Sequence, residues 1–131
     1  MTKKSNGFTV IELIFIIIVV GLASVIFFIQ KHNIEIVAND DNKKTAINAM
    51  YYGLEEVFYP TYKYYPQTIS TTNLKSVDPD LFTDPSGIKL GDSRSAYSYS
   101  PTNCSNGQCK GYTLQATLEN ENDFIKTSRN N

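Results

Sequence analysis

From Gly7 to Ile29 the chain reads GFTVIELIFIIIVVGLASVIFFI, and this run constrains everything else it can do. Glu12 is its single charged residue, and none occurs from Leu13 to Ile29. A helix over Phe8–Ile29 at about 1.5 Å per residue covers roughly 33 Å, enough for a hydrocarbon core of ~30 Å. The geometry is that of a membrane span. Glu12 does not fit a plain anchor. An acid within a span costs up to ~3 kcal/mol at the bilayer centre and less towards an end, and an intramembrane ionisable group needs a partner.

The residues in front supply one. Met1-Thr2-Lys3-Lys4-Ser5-Asn6-Gly7 is short, basic and polar. A cut between Gly7 and Phe8 would place a new α-amine one helical turn from Glu12, because positions i and i+4 share a face. Within one helix such a pair partly neutralises. Between helices it sets the axial register of one subunit against the next. Lys3 and Lys4 immediately before the span put the N-terminus in the cytoplasm. An ordinary secretory signal peptide fits poorly, since the small residues Ala23-Ser24 lie inside the apolar run and no A-x-A site follows it.

Gly7-Phe8-Thr9-Val10-Ile11-Glu12-Leu13 resembles the class III signal sequence of type IV prepilins and pseudopilins. The close resemblance covers Lys3 to about Ile29, and a looser one to pilin headpieces runs through the rest. In that family a membrane peptidase cuts after the glycine and N-methylates the new first residue, here Phe8. The acid at the position of Glu12 neutralises a neighbouring subunit's amine during assembly. Gly21 falls where the family usually has a helix-loosening glycine, whereas Ile29 stands where it often has proline. The resemblance implies an α+β pilin-like fold, with a long N-terminal transmembrane and spine helix packed on a small C-terminal antiparallel sheet.

The rest of the 131 residues is enough for one small domain. Residues 1–7 read as leader, 8–29 as span and 30–131 as an extracytoplasmic head. Ala46, Ile47, Ala49, Met50, Leu54, Val57 and Phe58 recur at helical spacing, so the helix is expected to continue to about Tyr59 and stop at Pro60. Polar Asn39–Lys44 is a place for it to bend or fray. Residues 60–95 read as a loop with a short helical turn around Thr71–Leu74. Strands are expected over about 96–118, where Tyr112, Leu114, Ala116 and Leu118 alternate onto one face, to be packed on Ile47, Met50, Leu54 and Phe58. A polar tail follows, with Phe124 and Ile125 either a last edge strand or a frayed end.

Cys104-Ser105-Asn106-Gly107-Gln108-Cys109 has Asn-Gly at its centre, the favoured pair for a two-residue hairpin turn. With that tip Cys104 faces Cys109 at near 4.5 Å between Cα atoms, a spacing a disulfide can just span. Metal thiolates need further ligands, and the one histidine, His32, sits beside the span. The expectation is a disulfide and an oxidising compartment.

No catalytic constellation, cofactor site or metal site is read from the sequence, and the chain is not expected to be an enzyme. Glu55 and Glu56 read as solvated. Asp78, Asp80 and Asp84 lack calcium-loop spacing and read as turns and caps. Six of the nine tyrosines fall between Tyr51 and Tyr65 and are expected to cover a helix–sheet seam. Removing Lys3 and Lys4 with the leader leaves ten basic side chains against thirteen acidic, a formal −3, which is no generic nucleic-acid surface.

The sequence reading is therefore a pilin. It is cut by prepilin peptidase, self-assembles into a helical filament, and depends indirectly on an inner-membrane platform and its ATPase. It is single-pass in the cytoplasmic membrane before assembly and on the cell surface after. Nucleic acid enters only at the level of the filament. The alternatives are a pseudopilin of a type II secretion or DNA-uptake filament, and an unprocessed bitopic protein with a ligand-binding head.

Overall fold

The computed structural model describes residues 7–130. The expected leader, apart from Gly7, lies outside the described residues. Helix α1 covers Val10–Tyr52, a π-helical turn Gly53–Phe58 and helix α2 Tyr59–Tyr62. Strands β1 (Tyr65–Pro66), β2 (Tyr97–Ser105), β3 (Gln108–Ala116) and β4 (Phe124–Thr127) follow, with a 3-10 turn at Pro79–Phe82. Two units separate between Glu35 and Ile36.

In the first unit the side chains from Phe8 to Ile29 are all exposed. The helix is long and apolar enough to cross a membrane. Inside it, the Ser24 hydroxyl donates to the Val20 carbonyl at 2.8 Å, so the run's single serine is satisfied by its own helix.

The second unit is α+β. β3 is central in an antiparallel sheet, with β2 along one edge and both β1 and β4 along the other. Ile47, Met50, Leu54 and Phe58 form one buried core with Tyr112, Leu114, Ala116 and Leu118, as their periodicities predict. Burying the isoleucine, methionine, leucine and phenylalanine side chains among these stabilises by about 1.5–3 kcal/mol each. Tyr65, Ile69, Leu74, Val77 and Phe82 from residues 60–95 complete it, so that stretch is far more ordered than a loop. It packs tightly on the helical path at Gly53: a Cβ there would lie 2.7 Å from Val77 Cγ2.

Three expectations need correction. The helical path does not stop at Pro60 but runs to Tyr62. The N–H of Tyr59 bonds the Leu54 carbonyl five residues back, and Pro60 takes the second position of α2, a first-turn site where its missing N–H is tolerated. Lys63, in the left-handed region at φ 64, ends the path. Second, Glu55 is buried at 5% exposure and not solvated, while Val57, expected on the buried face, is 51% exposed. The wide turn advances each residue by a smaller angle than an α-helix does, which draws Glu55 inward and leaves Val57 outside. Third, Asn39–Lys44 is helical, with Asp40 and Lys43 buried.

Candidate functional site

The N-terminal site starts outside the helix. Gly7, Phe8 and Thr9 precede α1, which begins at Val10 rather than at Phe8. The Thr9 hydroxyl accepts from the Glu12 N–H at 3.3 Å, and the Thr9 carbonyl from the Leu13 N–H at 3.1 Å. Thr9 is thus the N-cap and Glu12 the third helical residue. The Thr-x-x-Glu spacing of a capping box was legible in the sequence, and it gives Glu12 a second, local role beside the helix's positive end. Among the described residues Glu12 forms no ion pair. Phe8 is 74% exposed, and a Cβ on either Gly7 or Gly21 would meet nothing within 4 Å. Among the described residues nothing crowds Gly7, and Gly21 answers to no close contact.

No family model, curated protein or solved structure matches this chain. The reading of its function consequently rests on its own residues.

Cys104 and Cys109 form the expected disulfide, 3.9 Å apart at Cα, in register between β2 and β3. Ser105 pairs with Gln108, and Asn106 and Gly107 both take positive φ, 51 and 79, as a type I′ turn requires. Cys109 and Tyr112 are both buried although three residues apart, so the alternation of sides slips between them. Asn103, at φ 53, lies between the pairs Thr102↔Gly111 and Cys104↔Cys109.

Three carboxylates tie the head together. Asp84 accepts from the N–H groups of Ser86 and Ile88 at 2.9 Å and of Ala96 at 2.8 Å. Burial alone would raise its carboxyl, but the Ala96, Ile88 and Ser86 bonds hold it below the ordinary carboxylate range. Asp78 caps the 3-10 turn through the Asp80 N–H, so these two acids serve turns and caps, as expected. Asp40 accepts from the N–H groups of Glu119 at 3.0 Å and Asn120 at 2.9 Å, with the Lys43 ammonium at 3.3 Å. Burial again pushes up, and the Asn120, Glu119 and Lys43 contacts bring the carboxyl down. Glu55 accepts from the hydroxyls of Tyr65 at 3.0 Å and Tyr112 at 2.9 Å, and from the Arg129 N–H at 3.2 Å. Sequence reading missed Asp40 and Glu55 as anchors because their partners lie 79 and 57 or more residues away, or across the π-helical turn.

The tyrosine cluster is divided. Tyr65 is buried between Tyr59, stacked at 4.8 Å, and Tyr112, edge-on at 4.8 Å. Tyr51, Tyr59 and Tyr64 pack partly against the core, and Tyr52 and Tyr62 stay mainly in solvent. Most of the cluster covers the seam, as the spacing predicted.

Proposed function

We propose that this chain is the structural subunit of a type IV pilus-like filament. It is inserted in the cytoplasmic membrane, cut after Gly7, methylated at Phe8 and assembled through its first helix into a filament on the cell surface. One observation carries the reading. The apolar segment that no other described residue covers also holds a Glu12 with no ion pair among the described residues, four positions after Phe8. Lipid can cover the apolar side chains, yet it offers nothing to the carboxylate. Packing against identical helices covers both, because each neighbour brings a new α-amine at Phe8.

The layout of the chain supports the same reading. A long N-terminal helix followed by a small antiparallel sheet is what such a subunit needs, one part for the filament core and one for its surface. The Cys104–Cys109 disulfide agrees with a head outside the cytoplasm. The buried carboxylates Asp40, Asp84 and Glu55 each hold backbone or tyrosine donors, which is structural work.

Mass spectrometry of the chain recovered from cell-surface material tests the proposal, alongside micrographs of cells with and without it. The expected result is a mature chain beginning at methylated Phe8, and filaments lost on deletion. Intact Met1, or cleavage beyond Ile29, would overturn it.

A further inference from the structure

Beside the disulfide hairpin an open cavity of about 400 Å³ lies between the end of α2 and the tip of β2–β3. That is within the ~300–1,000 Å³ of small-ligand sites. Its chemistry is uneven. Lys63 and Lys110 are its two charged residues and neither forms an ion pair among the described residues. Tyr59 and Tyr64 supply ring surface, and Asn103 and Gln108 supply amides. Among the described residues no carboxylate side chain lines it.

Its backbone is as unusual as its charge. Three non-glycine residues of the described chain have positive φ: Lys63, Asn103 and Asn106. Two of these, Lys63 and Asn103, line this one cavity. At Lys63 the conformation is a helix C-cap, where glycine is the residue that fits without strain. Lys63 sets an ammonium-bearing side chain at a position that glycine would occupy without strain. Lys63 is the strained one of the two, since asparagine tolerates the left-handed region, and a strained residue in a cleft is a pointer to binding.

We propose that this cavity binds a carboxylated sugar, of the uronic or sialic acid class. Lysine ammonium groups pair with a carboxylate through charge-assisted hydrogen bonds, the tyrosine rings cover the apolar face of a pyranose, and the amides serve its hydroxyls. Nucleic acid is the weaker match: two lysines in a bounded cavity on a chain of net negative charge are not the basic stripe a phosphate backbone needs. The inference does not depend on filament assembly.

The test is titration of the full-length chain in detergent with digalacturonic acid, followed by ligand-observed NMR and calorimetry. Neutral galactobiose and an oligothymidylate serve as comparisons. Saturable binding of the acid sugar is expected, with galactobiose at least about tenfold weaker, and Lys63→Gly and Lys110→Gln each reducing affinity about tenfold. Lys63→Gly should melt at the same temperature as the parent or higher, since it relieves the left-handed strain while removing the charge. No saturable binding, affinity unchanged in both variants, or tighter binding of the oligothymidylate would overturn the proposal.

Discussion

Glu55 is buried and accepts from three donors. Glu55→Ala would leave the hydroxyls of Tyr65 and Tyr112 and the Arg129 N–H facing an apolar gap, at about 2–4 kcal/mol, since unpaired buried donors cost more than the bond is worth. The expected readout is a lower denaturant midpoint with an unchanged slope, while Glu56→Ala on the exposed side loses little beyond its 2.6 Å contact with Arg129. Asp40 and Asp84 act through protons as well. Both titrate lower in the folded chain than in the unfolded one, so the unfolded state binds more protons as acid is added. Their stabilisation is complete above the ordinary carboxylate range, near ~4, and is lost as pH falls through the folded values. At the other extreme, burial and then the Asp84 charge push the Tyr97 hydroxyl up to about 12. Tyr97 therefore contributes stability that is present below its ordinary value of 10.0 and lost as pH rises towards 12. Thermal melts across the pH range should show a plateau bounded on both sides, and Asp84→Asn should blunt the acid limb.

Elements differ in how much of them can be read locally. The hairpin is legible because its turn, register and disulfide all lie within six consecutive residues. Cys104→Ser should release the tip and lower stability by about 2 kcal/mol, the modest amount a short loop allows, with membrane insertion unaffected. A reduced and alkylated sample should match it in a denaturant titration. The helix is legible as far as Leu54; beyond it Phe58 is buried as its spacing predicts, but Glu55, Val57 and the helix end are misread, because an extra residue within a turn leaves no trace in apolar spacing until the partners are known. The π-helical turn admits the chain around Val77 only because residue 53 has no side chain. Gly53→Ala would press a Cβ against a buried, stiff valine and should cost about 1–3 kcal/mol in melting experiments. Residues 60–95 were illegible for a related reason. Ile69, Leu74, Val77 and Phe82 are spaced for no regular element, and Asp84 orders their return through N–H groups up to twelve residues ahead.

For the whole molecule, the apolar span and the Glu12 within it were evident from composition alone, whereas Asp40 as the anchor of the Glu119–Asn120 turn was not. An unpartnered apolar helix is a property of one segment; a carboxylate's burial is a property of two distant ones. If the chain assembles as proposed, Glu12 has two roles that substitution can separate. As the third residue of α1, beside the Thr9 cap, it favours the helix's positive end, a local effect of about 0.3–1 kcal/mol that leaves the span helical when removed. As a lone acid among apolar side chains it needs a cation from elsewhere. In a packed filament a missing partner would leave each neighbouring α-amine uncompensated at about 3–5 kcal/mol, and the penalty recurs with every subunit added. Glu12→Ala is therefore expected to insert at least as well as the parent, to be cut normally at Gly7–Phe8, and to form few or no filaments. Glu12→Gln should retain most helix capping and still assemble poorly, which distinguishes a charge requirement from a capping one. The measurement is a filament count beside a blot of processed, membrane-bound chain. Normal filaments from Glu12→Ala as sole subunit would show that the carboxylate does not set assembly. Loss of cleavage together with filaments would place its role at the peptidase.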